Sequence, residues 1–275
     1  CTLLTHMAKM SYSDTITQPQ FSSVICMIEH KNFIYGSIAF LCGTLLAFYG
    51  WGSPLNFLYA GLSYMEIFFH EIGHTIFAWM YGIPTFPIFD FKNGGGYAVQ
   101  LSETSWPAQI VVWGGMIYGL YNIRDRMMPV FLYPLVAFCV AIGLLRFSNY
   151  FEDIILFMGH GTAAIIGGFM LARGIYGVFL TRPSERWLNV FVGAFFILDQ
   201  VKMCNSLLHD VAYQMLYETQ KGGHGMGDLS RIANNHLWTQ DSVAVFTMVF
   251  TIAMGLVIPI MTAVLVRKYS NPEFS

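Results

Sequence analysis

Charged residues are scarce in this sequence of 275 residues. Asp, Glu, Lys and Arg make up 11% of the chain, whereas a soluble domain carries about 25%. Hydrophobic residues make up 55%, and the mean hydropathy is +0.53. This composition predicts an integral membrane protein. The sequence has no run of basic residues and a net charge of -2, so nucleic-acid binding is not expected.

Closely spaced cysteines are also lacking, so nothing indicates a cysteine-based metal site or redox motif. The N-terminal stretch has no charged segment followed by an apolar one, and no cleaved signal peptide is expected. Residues 1–32 are interpreted as an N-terminal tail. Whether the first cysteine is a processed end stays open. The five cysteines are Cys1, Cys26, Cys42, Cys139 and Cys204.

Long hydrophobic runs, in contrast, are frequent. A helix that crosses about 30 Å of hydrocarbon needs about 20 mostly apolar residues. Seven stretches approach this requirement and the third is short, so we predict an all-α, polytopic membrane protein with six to eight transmembrane helices in one domain, residues 1–275. The loop distribution of Lys and Arg predicts a cytoplasmic C-terminus. The candidate spans are residues 33–51, 55–81, 107–121, 128–147, 152–180, 187–206 and 241–267.

Two long connecting loops interrupt the apolar pattern. Residues 82–106 contain two prolines, a glycine triplet and alternating apolar residues, which predict a short hairpin. Residues 207–240 are the most polar part of the chain. Their segment KGGHGMGDLSRIANNH, with His224, Asp228 and His236, is interpreted as a solvated loop that contacts lipid or a partner.

The stretch HEIGH places His70, Glu71 and His74 inside the second predicted span. On a helix, histidines four residues apart project from one face and can ligate one metal ion, while the glutamate can take a proton from a water molecule. Zn²⁺ would lower the pKa of that water to about 7 and polarise a carbonyl group. The alternative is an internal hydrogen-bond cluster, although ionisable groups in spans are usually functional.

The stretch HEIGHTIFAWMYGIPTFPIF resembles the site-2-protease class of intramembrane zinc metalloproteases, peptidase family M50. His74, Ala78 and Gly82 match the family pattern of small and apolar residues followed by a glycine, and NGGGYAV is similar to the hairpin segment that follows it. The resemblance implies a Zn²⁺ cofactor and a membrane-protein or peptide substrate in the lipid bilayer. Likeness to divergent bacterial members implies a multi-pass protein of the bacterial inner membrane.

The resemblance also implies a third metal ligand, usually an aspartate from a later span in an LDG context. No LDG sequence occurs here. The candidates are His160 in FMGHGTAAIIGG, which is favoured because two glycines flank this imidazole, and Asp199 in FILDQVK, which matches the family by residue type. A histidine held by a helix–helix hydrogen bond is an equally good interpretation of His160.

Several other polar or small residues are candidates for supporting roles. Glu66 lies one turn before His70 and could orient its imidazole, or it could be an interfacial residue. The resemblance suggests that Asn149 or Asn205 binds the substrate backbone. The glycines Gly94, Gly95 and Gly96 could let an unwound substrate add to the hairpin as a strand.

Two functions therefore stay open from the sequence. The first is an intramembrane zinc endopeptidase in which Glu71 is the general base. The second is a catalytically inactive relative that serves as a structural or accessory subunit of a larger membrane complex, which the missing LDG motif favours. A di-iron membrane oxidase is disfavoured, because such enzymes need several histidine boxes and only His70 and His74 are suitably spaced.

Overall fold

The computed structural model describes residues 18–91, 95–124, 129–182, 184–219 and 225–270. Within these ranges the chain is mostly helical and contains one two-stranded sheet. The elements in chain order are α1 (Gln18–Tyr49), α2 (Asn56–Met80), β1 (Thr85–Asp90), β2 (Gly95–Gln100), α3 (Trp106–Ile123), α4 (Pro129–Leu145), α5 (Phe151–Tyr176), α6 (Ser184–His209), α7 (Val211–Thr219), α8 (Asp228–His236) and α9 (Gln240–Ser270).

Helix α5 lies at the centre of the fold and packs against α2, α6 and α9. Two of these contacts are close because a glycine faces the neighbouring backbone. A Cβ on Gly73 of α2 would lie 2.1 Å from the carbonyl oxygen of Met158, and one on Gly168 would lie 2.5 Å from that of Met254. Small residues allow helix backbones in membranes to approach in this way. Gly73, the glycine of HEIGH, thus allows α2 to pack closely against α5.

Three helices of the described ranges are long and apolar enough to cross a membrane. These segments, Phe151–Tyr176, Ser184–His209 and Gln240–Arg267, support membrane association. All seven predicted spans coincide with helices, but the other four are shorter or more polar over the residues described. The six to eight crossings predicted from the sequence are therefore more than these segments account for.

The hairpin predicted after the second span is present. Strand β1 pairs with β2 in antiparallel register, from Thr85 opposite Gln100 to Asp90 opposite Gly95. The hairpin packs on α2, where the Trp79 indole nitrogen donates a 2.8 Å hydrogen bond to the carbonyl oxygen of Thr85. This bond ties the first strand to the end of the helix that carries HEIGH.

The structure refines one predicted segment and contradicts another. Within the predicted N-terminal tail of residues 1–32, helix α1 begins at Gln18. The loop predicted over residues 207–240 contains helices α7 and α8. Asp210 caps α7, since its side chain accepts hydrogen bonds from the backbone nitrogens of the second and third residues that follow it. Helix α8 is amphipathic, and its buried face was hidden within a polar composition.

Candidate metal centre

Helix α2 presents the three polar residues of HEIGH to the interior. The side chains of His70 and His74 are 12% and 8% exposed, and Glu71 is 3% exposed. The two Nε2 atoms lie 2.9 Å apart, as the four-residue spacing on a helix predicts.

A carboxylate from a distant part of the chain meets both imidazoles. Asp228, the first residue of α8, places Oδ2 3.0 Å from Nε2 of His70 and 3.2 Å from Nε2 of His74. Donors around a tetrahedral zinc ion lie about 3.3 Å apart when the metal–nitrogen bonds are about 2.0–2.1 Å. The two imidazoles and the carboxylate therefore form a donor set of the size and chemistry that zinc requires.

The backbone of α5 orients His74. Its Nδ1 lies 2.7 Å from the carbonyl oxygen of Ile155, which can only accept, so Nδ1 is the donor. In the neutral imidazole Nε2 then carries a lone pair, as metal ligation requires. The hydrogen bond thus fixes both the tautomer and the direction of the ring.

Gly159 of α5 leaves room where the donors converge. A Cβ at this position would lie 2.5 Å from Cε1 and Nε2 of His74 and 2.7 Å from Nε2 of His70. Contacts this short do not occur between ordinary side chains, so any larger residue would displace the imidazoles.

His160, predicted as a metal ligand, borders the same donor set. It is 3% exposed, and its ring centroid lies 4.4 Å from that of His70. One of its nitrogens lies within 4.8 Å of the donor atoms of His70 and Asp228. Its Nε2 is 3.4 Å from the hydroxyl of Tyr217, a fully buried residue of α7. His160 is thus a further nitrogen donor beside the triad.

The alternative ligand Asp199 faces other partners. Its Oδ1 accepts a 2.9 Å hydrogen bond from the hydroxyl of Tyr59, and Lys202 lies 5.1 Å from the Tyr59 ring. The same lysine donates to the carbonyl oxygen of Ala47 at 2.8 Å. Asp199 therefore belongs to a second polar cluster of the cavity and lies outside the donor sets found among the described residues.

Strand β2 lies directly on the glutamate of HEIGH. A Cβ on Gly96 would be 2.7 Å from Cγ of Glu71 and 3.0 Å from its Oε1. Gly95 and Gly96 both line the cavity, while Gly94 lies outside the described residues. The hairpin glycines thus bring an open backbone next to the carboxylate that was predicted to be the base.

These groups share a cavity of about 860 Å³ between α2, β2, α5, α6 and α8. Its lining includes exposed residues such as Trp51 and Arg231, so it reaches the molecular surface. Carboxylates outnumber lysine and arginine in its lining, a balance that favours cations when the carboxylates are ionised. The carboxylates are Glu66, Glu71, Glu152, Asp199 and Asp228, and the basic residues are Lys202 and Arg231.

The remaining residues suggested by the sequence divide into two groups. Glu66 lines the cavity on the same face of α2 as His70. Asn149 and Asn205 are exposed and lie outside the residues that line the cavity. The structure therefore places Glu66 in the cavity wall and leaves both asparagines away from it.

Asp228 and Tyr217 were not predicted as site residues. The available signal for Asp228 was its place after a glycine in GMGDLS, which reverses the Asp-Gly order expected from the resemblance. Comparison with known proteins finds no matching family model, no similar curated protein and no similar solved structure.

Proposed function

We propose that this chain is an intramembrane zinc metalloendopeptidase. The observation that carries the proposal is the convergence of His70, His74 and Asp228, whose donor atoms lie 2.9–3.2 Å from one another, beside a buried glutamate in a cavity. Two nitrogens and one carboxylate oxygen match the three protein ligands of a catalytic zinc site, which keeps one position open. His160 stands beside this set as an additional donor.

Each part of the chain has a task in this mechanism. Zn²⁺, when bound, would polarise the scissile carbonyl group and lower the pKa of a water molecule. Glu71 takes a proton on its carboxylate as general base and returns it to the leaving amine as general acid. Gly96 lets strand β2 lie against Glu71 without a side-chain clash, and an extended substrate segment can add to the edge of the hairpin beside it.

The proposal extends to the membrane. A helical substrate segment has its carbonyl groups satisfied by its own backbone, so it must unwind before water can attack. The cavity supplies a polar interior between helices for this step. We propose several crossings beyond the three long apolar helices, with less apolar helices such as α2 contributing to the wall around the site. A cytoplasmic C-terminus and a bacterial inner membrane remain predictions.

The decisive experiment combines metal analysis with Glu71→Gln. We expect the purified chain in detergent to hold about one zinc ion and to hydrolyse dye-labelled casein, an unstructured probe. Glu71→Gln should keep the zinc and lose about 10²–10⁴-fold in rate, which is the contribution of a general base.

His70→Ala is the matched variant, because it removes a ligand and leaves the base, and it should lose zinc and activity together. Full activity in Glu71→Gln would contradict the mechanism. A wild-type chain without zinc or hydrolysis would favour an accessory, non-catalytic role in a membrane complex.

A further inference from the structure

A second contact between histidine and aspartate lies at the far end of helix α8. Asp153, in the first turn of α5, is 8% exposed. Its Oδ1 accepts a 2.7 Å hydrogen bond from the side-chain amide of Asn235, and its Oδ2 accepts one from Nε2 of His236. Both oxygens of this buried carboxylate are thus engaged by the last two residues of α8.

Aromatic rings hold the imidazole of this contact in place. The ring of Tyr150 stacks on that of His236 with centroids 4.7 Å apart. The ring of Trp238 is tilted relative to that of His236, and their centroids are 4.9 Å apart. The helix ends here, because Leu237 adopts a left-handed conformation with φ of 56°. The C-terminal turn of α8 is therefore fixed in both rotation and axial position against α5.

Helix α8 connects this contact to the candidate metal centre. Asp228 is its first residue and His236 its last, so the two ends are about 12 Å apart at 1.5 Å per residue. A helix this short moves as a rigid body. A shift or rotation at one end is transmitted to the carboxylate at the other end.

The same helix α5 also sets the position of the imidazoles. Ile155, two residues after Asp153, orients His74 through its carbonyl oxygen. Gly159, one to two turns further along, faces both imidazole rings. Helix α5 therefore contacts both sides of the site. It contacts the imidazoles directly and contacts α8 through Asp153, so it determines where Asp228 lies relative to the two histidines.

We propose that Asp153 is a positioning residue, which clasps the C-terminal turn of α8 and thereby holds Asp228 within reach of His70 and His74. The role of Asp228 as a ligand rests on the proposed function. Other contacts also hold α8, including a 3.0 Å hydrogen bond from Gln240 to Ser230 and the buried side chains of Leu229 and Ile232. These contacts keep α8 folded against the protein. The contact of Asp153 with Asn235 and His236, which we call the clasp, sets the orientation of the helix.

The test compares Asp153→Ala with wild-type protein in detergent by three measurements: zinc affinity in chelator competition, the visible spectrum after Co²⁺ substitution, and amide hydrogen exchange in α8. We expect Asp153→Ala to bind zinc about tenfold more weakly, at the lower end of the range for residues that support ligands. Its cobalt spectrum should shift toward that of Asp228→Ala, and exchange in α8 should accelerate.

Two further variants sharpen the test. His236→Phe keeps an aromatic ring between Tyr150 and Trp238 but loses the donor to Asp153, so it should reproduce the direction of all three changes even if Asp153→Ala does not fold. Asp241→Asn, which neutralises an exposed carboxylate in the first turn of α9, is the charge-matched control and should change none of them.

A merely structural role for Asp153 would lower the melting temperature and leave the cobalt spectrum of the folded, metal-loaded fraction unchanged. An unchanged spectrum and zinc affinity in both clasp variants would therefore overturn the proposal, even if exchange accelerated. If wild-type protein bound no metal, the proposed function would fail, and the positioning role of Asp153 would be overturned with it. Zinc binding by wild-type protein and equally tight binding by both variants would overturn the positioning role alone.

Discussion

The two ends of helix α8 use the same residue types in opposite ways. At its first residue, one carboxylate oxygen of Asp228 faces two imidazole nitrogens that are themselves 2.9 Å apart, with His160 nearby and a cavity alongside. At its last residues, Asp153 receives one hydrogen bond on each oxygen from Asn235 and His236. At the first end, which we call the convergent end, a carboxylate oxygen and two imidazole nitrogens point toward one another. At the other end, which we call the saturated end, both carboxylate oxygens accept hydrogen bonds.

This difference indicates which cluster can hold a metal. His74 uses Nδ1 as a donor to Ile155, so in the neutral imidazole the lone pair of Nε2 faces Nε2 of His70 and Oδ2 of Asp228. Asp153 has its two oxygens committed to donors of the protein, and the imidazole that faces it is held between aromatic rings. Convergence of donors on one open point, and not the presence of histidine and aspartate, distinguishes a candidate metal site from a structural ion pair.

The largest effect should come from removing the carboxylate at the convergent end. Asp228→Ala leaves two imidazole ligands, and we expect zinc affinity to fall by more than about 100-fold, beyond the range for residues that only support ligands. Asp199→Ala is the matched control, because this carboxylate lines the same cavity but bonds to Tyr59. Competition with a chromophoric chelator measures both. Loss of zinc in Asp199→Ala with retention in Asp228→Ala would reverse the assignment.

A second test fills the space between the metal-binding groups with a methyl group instead of removing a ligand. Gly159→Ala places a methyl group 2.5–2.7 Å from the imidazole atoms of both histidines, so the donors must separate. Zinc affinity should fall by about 100-fold, the upper end of the range for changes that misplace ligands.

The control for this change lies two residues along the same helix. In Gly161→Ala the nearest atoms to the new methyl group are the flexible end of Met158 and the edge of Phe157, at 3.0–3.4 Å. This variant should bind zinc within about twofold of wild type, since Met adapts to such contacts. Equal zinc affinities in the two variants would show that Gly159 does not protect the donor set.

The convergent end could be only partly predicted from the sequence. His70, Glu71 and His74 are local, and a helical period places them on one face. The hairpin was likewise visible in the alternation and turn residues of 82–106. Asp228 lies more than 150 residues from these histidines in the chain, and local periodicity carries no information about which distant carboxylate approaches them.

The polar segment after α6 was misread for a related reason. Helix α8 has no long apolar run, because its buried stripe consists of Leu229, Ser230, Ile232 and Ala233. Short amphipathic helices depend on tertiary contacts for their stability, so composition predicted a loop. The number of membrane crossings is also set by packing as much as by hydropathy, since polar residues of the site make α2 less apolar than a typical span.

A third prediction separates catalysis from metal binding at the convergent end. Gly96→Ala would place a methyl group 2.7 Å from Cγ of Glu71, which forces the glutamate to move by a few tenths of an ångström or more. Hydrolysis of labelled casein should slow roughly tenfold, since a 1 Å misplacement of a catalytic group costs about 100-fold. Zinc content should stay unchanged, because the ligands are untouched.

Gly61→Ala, a change on the same helix as Glu71 with open space around the new methyl group, is the control and should leave both measurements at wild-type values. An unchanged rate in Gly96→Ala would mean that Glu71 tolerates the contact or does not act in the reaction.

The smallest effect should come from the saturated end. Asn235→Ala removes one of the two donors to the buried Asp153 carboxylate, and we expect the free energy of unfolding to fall by about 1.5–3 kcal/mol, the range for a hydrogen bond to a charged group. Helix propensity acts in the opposite direction, since alanine is favoured over asparagine by about 0.5 kcal/mol. Asn234→Ala carries the same propensity gain and, among the described residues, loses a contact to the sulfur of Met226.

The difference between the two asparagine variants therefore isolates the hydrogen bond to Asp153. Thermal unfolding in detergent, followed by circular dichroism, should give a lower melting temperature for Asn235→Ala than for Asn234→Ala. Zinc affinity should change less than in Asp153→Ala, because the contact from His236 still holds the turn. Equal melting temperatures would mean that water replaces the lost donor, and the carboxylate at this end would then be less enclosed than its 8% exposure indicates.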